Sequence, residues 1–336
     1  MKMAAFIKAI SYFLPEKILT NEELVSEFPE WTVKKIADKV GVNRRHVVSG
    51  GETAADLAVM AAENLFEHHS DILREDIDFV LLCTQSPDYF LPSSACIVQH
   101  RLGIPTNCGA LDFNLGCSGY VYGLAVAKGL ICAGIAKNVL LLTAETYTKY
   151  LHPRDKGNRT IFGDAATATI VSTEGFAEIG DFVLGTDGTG AENLIVRTGG
   201  ARYPRRTGDV SFDENGNPYS PDYLFMNGSE IFTFTQRNVP IVVRQILEKN
   251  ELSMEDIDMF VFHQANSYML NFLRRKIRIL LEKFYMNMSE IGNTVSNSIP
   301  IALADAKEEG RLTGLVLICG FGVGYSWGGG ILNYRD

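Results

Sequence analysis

The sequence predicts an α/β protein built from two similar halves, and three observations carry that prediction. Apolar runs of strand length alternate with helical patterns, the arrangement that lays helices on the faces of a mostly buried sheet. The segment at 75–86 is echoed at 255–266, 138–143 at 315–319, and 162–171 at 321–332, in the same order each time. A length of 336 residues with 46% hydrophobic side chains supplies core for one large or two fused domains. The echoes are spaced far beyond the roughly 20–50-residue unit of a solenoid. The expectation is therefore one half over residues 1–175 and a second over 176–336.

Taken in order, helical patterns fall at 53–66, 93–102, 119–132, 228–249, 267–284 and 299–309. Each copy of the first echo reads as an acidic turn entering a strand buried on both faces. Residues 185–221 break the alternation with glycines, prolines and the basic side chains Arg202, Arg205 and Arg206. An excursion of that length is either a substrate-facing lid or a surface decoration.

Composition excludes several classes. There are 31 basic and 40 acidic residues, a net charge of −9, which argues against nucleic acid as a partner. Cys83, Cys96, Cys108, Cys117, Cys132 and Cys319 are scattered without a CxxC pair, the usage of a reducing compartment, and a cytoplasmic location is expected. Lys8 interrupts the N-terminal apolar stretch and no cleavage site follows it. No window reaches the ~20 apolar residues of a membrane span. HxxxH, HExxH and GxxxxGK[ST] are absent, so neither a metal nor a phosphate loop is expected. Residues 324–328 match GxSxG, but a strand follows where a hydrolase elbow needs a helix, which disfavours Ser326 as a nucleophile.

Four places can carry chemistry. Cys117 lies where a strand runs through small residues into a glycine-containing helix, and a helix N-terminus favours the nucleophilic thiolate. It is otherwise a small core residue. His263 ends the second copy of the echoed strand, at the strand end where ligands of α/β proteins collect; the other reading is a satisfied core histidine. Asn293 offers a neutral amide donor suited to an enolate oxygen, or else the polar residues of 292–300 merely cap the helix that follows. The glycine-rich segment 320–330 can line an oxyanion hole with backbone N–H groups, or is simply a tight hairpin.

Together, Cys117 with Ser118 and Gly119, His263 with Gln264, Ala265 and Asn266, Gly292 with Asn293 and Thr294, and the terminal run from Gly320 to Gly328 resemble the 3-oxoacyl-[acyl-carrier-protein] synthase III family. Segments 20–24, 40–46, 91–96 and 161–166 resemble further landmarks of that family in its own order, so the likeness spans the chain. It implies a thiolase-like fold, two duplicated α/β halves in a layered αβαβα core. It also implies an acyltransferase that condenses an acyl-CoA primer with malonyl-acyl-carrier protein, releasing carbon dioxide, at the start of fatty-acid synthesis.

On this resemblance Cys117 is the nucleophile and carries the acyl group, His263 and Asn293 stabilise the enolate, and the N–H groups of Cys117 and Val323 form the oxyanion hole. Trp31, Lys39, Leu91, Lys156 and Phe162 are the implied substrate contacts, with Lys35 as the other candidate beside Trp31 and Leu91 reaching across a homodimer. Arg274, Arg275, Lys276 and Arg278 form a basic run that either docks an acidic carrier protein or is a solvated helix face. Thr233 and Tyr268 stand where carrier-binding members commonly have basic residues. No permanently bound cofactor is implied; a coenzyme A thioester is the substrate. The alternative is a specialised relative in secondary metabolism that condenses or only transfers an acyl group from cysteine, while a non-catalytic partner is disfavoured because Cys117, His263 and Asn293 are all present.

Overall fold

The computed structural model describes residues 4–214 and 216–334, so the first three residues of the N-terminal stretch lie outside it. Ten strands form one sheet. The first half supplies β1 (Phe6–Phe13), β2 (Phe79–Cys83), β3 (Gly109–Phe113), β4 (Asn138–Glu145) and β5 (Ala165–Ser172). The second supplies β6 (Ala177–Thr186), β7 (Met259–Phe262), β8 (Phe284–Tyr285), β9 (Gly314–Gly322) and β10 (Ser326–Tyr334).

Across the sheet the order is β3, β2, β4, β5, β1, β6, β10, β9, β7, β8. Read outward from the centre, the two halves have the same strand order and the same senses: β2 pairs parallel with β3 and β4 as β7 does with β8 and β9, and β4–β5 and β9–β10 are antiparallel. The echoed segments occupy equivalent places, β2 with β7, β4 with β9 and β5 with β10. The halves join through two residue pairs of β1 and β6, Phe6 with Glu178 and Ile7 with Ala177.

Eight α-helices accompany the strands among the described residues: α1 (Asn21–Glu27), α2 (Val33–Val40), α3 (Ala54–His68), α4 (Ser94–Arg101), α5 (Gly119–Cys132), α6 (Gly228–Lys249), α7 (Ser267–Ile277) and α8 (Ser298–Glu308). The pleat sorts them into layers, because successive side chains point to opposite faces. Val80 and Leu82 of β2 pack with Leu57 of α3 and Ala95 of α4, whereas Leu81 between them packs with Leu124 of α5 and Leu303 of α8. In the second half Val261 joins that same central cluster, while Phe260 and Phe262 turn to Val243 of α6 and Leu270 of α7. The result is the five-layer αβαβα core, with α5 and α8 sandwiched between the two half-sheets. A helix so placed must be apolar nearly all round, which is why 119–132 is so rich in aliphatic residues and glycine.

Three local differences from the sequence reading have physical causes. The helical pattern at 267–284 stops at Ile277, because Arg278 takes a left-handed conformation (φ 66°) and the Ile279 N–H closes on the Arg274 carbonyl at 2.9 Å. The chain then turns back to lay β8 beside β7. Helices α1 and α2 were not expected; α1 carries a capping box between Thr20 and Glu23, and α2 runs from a Thr32 cap to Gly41 (φ 77°). The excursion is folded rather than loose: Asp222 accepts from the Thr207 and Gly208 N–H groups at 2.9 and 2.7 Å and from Thr198 Oγ1 at 2.6 Å. No helix among the described residues is long and apolar enough to cross a membrane, and they contain no group of three or more His, Cys, Asp or Glu able to hold a metal ion.

The link between β5 and β6 is tight at Gly175, where an added Cβ would lie 2.2 Å from the Ile7 carbonyl oxygen. Both partners are backbone, so nothing yields cheaply. Gly175→Ala is expected to lower unfolding free energy by about 1–3 kcal/mol, read as an earlier urea midpoint at unchanged slope; an unaltered midpoint contradicts this packing.

Candidate active site

Four segments meet around Cys117. The loop after β3 delivers it one residue before Ser118, the N-cap of α5. β9 passes directly behind: an added Cβ on Gly320 would lie 2.7 Å from the Cys117 carbonyl oxygen, and one on Gly322 would lie 3.0 Å from Cys117 Sγ. Val323, the next residue, has its side chain against Gly116. Cys117 itself is buried in an apolar cluster with Tyr147, Leu151, Phe162, Leu194, Leu224 and Val295. Ser326 Oγ lies 2.5 Å from Ser118 Oγ, donates to the Val323 carbonyl and opens a strand, so it is a structural hydroxyl of this turn.

His263 follows β7, and its N–H donates to the Cys319 carbonyl of β9 at 2.8 Å. The ring stands edge-on to Phe321, centroids 5.6 Å apart, between the two glycines that touch Cys117. Nδ1 lies 2.7 Å from Oγ of Ser298, the first residue of α8. Asn293 forms a bridge with Phe162, donating its N–H to the Ile161 carbonyl at 2.9 Å and accepting from Gly163 at 3.0 Å. Its Oδ1 accepts from Val295 N–H at 2.9 Å and one Nδ2 hydrogen goes to the Ala265 carbonyl at 3.3 Å. A primary amide has two donors, so one remains for an incoming oxygen. The N-cap position of α8 falls to Asn297 of the same segment, without a side-chain capping bond, which leaves the Asn293 amide to the pocket.

Burial decides the protonation states. It pushes the Cys117 thiol up to about 12 from an ordinary 9.0, with the Glu145 carboxyl adding to the rise. That shift corresponds to roughly 4 kcal/mol, against the about 0.3–2 kcal/mol a helix N-terminus contributes. The resting group is therefore a thiol, not the thiolate the sequence reading favours at this helix start. Burial likewise lowers His263 to about 3, so its imidazole is neutral, and the Val295 carbonyl opposes the shift only in part. The site is a buried, uncharged thiol–imidazole–amide constellation.

The other candidates are less tightly gathered. Phe162 packs on Tyr147 at 5.0 Å beside Cys117. Trp31 is half-buried at the start of α2, and it is Lys35, 4.7 Å over the indole ring, that accompanies it; Lys39 lies in the last turn of α2 and is exposed. Lys156 pairs with Glu30 and lines a cleft with Phe28 and Arg154. Leu91 is 81% exposed beside the likewise exposed Tyr89 (62%) and Phe90 (86%), so within one chain it does not join the cluster around Cys117. Of the basic run, Arg275, Lys276 and Arg278 are exposed, whereas Arg274 turns back to the Ile279 carbonyl at 3.2 Å.

Sequence reasoning missed Ser298 and Glu145. Ser298 carries no signal of its own, but Glu145 is an acid ending an apolar strand at its C-terminal edge, which marks it for inspection.

His263 gives a pH signature. Its folded value lies below its ordinary one, so between 6.5 and about 3 the unfolded chain binds a proton the folded one does not, and stability is lost as pH falls through that window. From about pH 7 to pH 5 the wild type should lose about 2 kcal/mol more than His263→Asn in urea unfolding; equal losses contradict a neutral buried imidazole.

Comparison with known proteins gives a consistent answer. The family model described as 3-Oxoacyl-[acyl-carrier-protein (ACP)] synthase III matches residues 111–188, and its C-terminal counterpart matches 247–334. The chain is 34% identical to a beta-ketoacyl-[acyl-carrier-protein] synthase III of Caldanaerobacter subterraneus subsp. tengcongensis, covering 99% of this chain and 98% of the relative. It is 36% identical to one of Clostridium perfringens, covering 99% and 100%. A crystal structure of a 3-oxoacyl-(acyl-carrier-protein) synthase III superposes with a TM-score of 0.95 at 48% identity, over 98% of this chain and 100% of that one. The Pseudomonas aeruginosa structure gives 0.86 at 30%, over 99% of both. The chain therefore belongs to the 3-oxoacyl-[acyl-carrier-protein] synthase III family.

Proposed function

We propose that this protein joins an acyl-CoA primer to malonyl-acyl-carrier protein by decarboxylative condensation, the initiating step of fatty-acid synthesis, with Cys117, His263 and Asn293 as its catalytic residues. The observation that carries the residue assignment is a buried thiol and a neutral imidazole packed on one glycine-lined strand, with an amide that keeps a spare donor bridged to Phe162 beside them.

The chemistry runs in two stages. Cys117 sulfur attacks the thioester carbon of acyl-CoA, with the N–H groups of Cys117 and Val323 holding the oxyanion. The carbon–sulfur bond to coenzyme A then breaks, and the coenzyme leaves as a thiol with the proton that Cys117 lost. Malonyl-carrier enters next. Its carboxylate carbon departs as carbon dioxide and the bonding pair moves into a thioester enolate, whose oxygen accepts hydrogen bonds from His263 and Asn293. A neutral imidazole suits this role, because it donates without adding charge to a buried site. The enolate carbon attacks the acyl group, the bond to Cys117 breaks, and the 3-oxoacyl-carrier product leaves a thiolate that takes up a proton. Every step is supplied by side chains, backbone and the two thioesters, so no resident cofactor is needed.

Substrate contacts follow the same reading. Trp31, Lys35 and Lys156 receive coenzyme A, and Phe162 borders the acyl group. Leu91, open to solvent in one chain, reaches a second copy in a homodimer. Arg275, Lys276 and Arg278 present three exposed cations to an acidic carrier protein. The division into residues 1–175 and 176–336 is supported by the repeated strand order, the nucleophile lying in one half and His263 and Asn293 in the other.

Intact-mass spectrometry with an acyl-CoA panel tests this. Wild type should gain one acyl group, Cys117→Ala none. His263→Ala and Asn293→Ala should still acylate, while carbon dioxide release from malonyl-carrier falls about 100-fold or more. Loss of acylation in His263→Ala as severe as in Cys117→Ala would overturn the division of roles.

A further inference from the structure

Glu145 ends β4 and has no exposed surface. Its oxygens accept from the Gln85 N–H at 3.1 and 3.2 Å, from the Ser86 hydroxyl at 3.2 Å and from the Ser296 hydroxyl at 3.2 Å. Gln85 and Ser86 follow β2 in the first half, and Ser296 lies between Asn293 and α8 in the second. The carboxyl thus ties the floor of the nucleophile's pocket to the loop that carries Asn293.

None of these partners is a cation. The titratable groups facing Glu145 are Cys83 at the end of β2, Cys117 before α5, Tyr147 and Tyr150 after β4, and Asp164 before β5. All are acids. A buried carboxylate in such company is strongly disfavoured, and burial pushes Glu145 up to about 8, with Asp164 adding to the shift. Either serine hydroxyl can turn to accept the carboxyl proton, so the network serves the uncharged acid as well.

We propose that Glu145 works as an uncharged carboxylic acid, a positioning residue that holds the Gln85–Ser86 turn to the Asn293 loop, and that its ionisation places a negative charge beside Cys117 and suppresses nucleophilic attack. The catalytic part rests on Cys117 as the nucleophile; the electrostatic part does not. Proximity of the two groups already contributes to the raised thiol of Cys117.

Alkylation of Cys117 by iodoacetamide, followed by peptide mass across about pH 7–10, needs no acyl-CoA and separates the two parts. In Glu145→Gln, at about pH 9, alkylation should be about 10-fold faster than in wild type, one pH unit of thiol ionisation. Acylation by acyl-CoA should stay within about 3-fold of wild type at about pH 7 and lose the decline through about pH 8. A merely structural carboxyl leaves both pH profiles where they were, and that result overturns the proposal, as does a folded Glu145→Gln that is inactive at about pH 7. Shifted alkylation without any acylation in wild type would instead sink the nucleophile assignment. Should the variant not fold, the infrared C=O band of a buried carboxylic acid in wild type decides: present at about pH 7 and gone by about pH 9 if the proposal holds, absent at about pH 7 if it fails.

Discussion

The backbone of β9 touches the backbone of the Cys117 turn, and most of what distinguishes this site follows from that contact. With no side chain at Gly320 or Gly322, a strand of the second half runs within van der Waals reach of the Cys117 carbonyl and sulfur. One half contributes the thiol and the other the wall behind it. The same strand orients the histidine, since Cys319 holds the His263 N–H and Phe321 meets its ring. A side chain at Gly320 would push the nucleophile away from both.

Close packing also buries these groups, and burial then sets their charges. The thiol stays protonated, the imidazole neutral and the nearest carboxyl uncharged near neutrality. Such a pocket is unlike an ion-paired cysteine–histidine site: it gives up thiolate in the resting state and gains an environment in which neutral donors act strongly on an enolate oxygen.

How much was legible in the sequence depends on whether a residue's role is local. The buried runs and the apolar stretch 119–132 advertise themselves, so the α/β class and the bounds of α5 and α6 could be read directly, whereas the five layers came from the resemblance. Asn293 could be singled out as a neutral amide donor, but Val323 gained its meaning only from the resemblance, because a backbone donor leaves no mark in composition. The end of α7 was misjudged because a left-handed arginine replaces the expected glycine stop. Leu91 is exposed in the single chain, so its place beside the acyl group rests on the resemblance. The thiol's protonation state was misjudged because a helix start is visible in sequence and a desolvated pocket is not.

The repeated topology carries an asymmetric site. Laying β2 over β7 in the register of their echo sets Cys83 opposite His263, and the Cys83 thiol is spent on a hydrogen bond to the Leu115 carbonyl. The equivalent places are therefore complementary: one half supplies the nucleophile, the other the imidazole and the amide. Neither half holds the whole set, so the constellation exists only where the two meet.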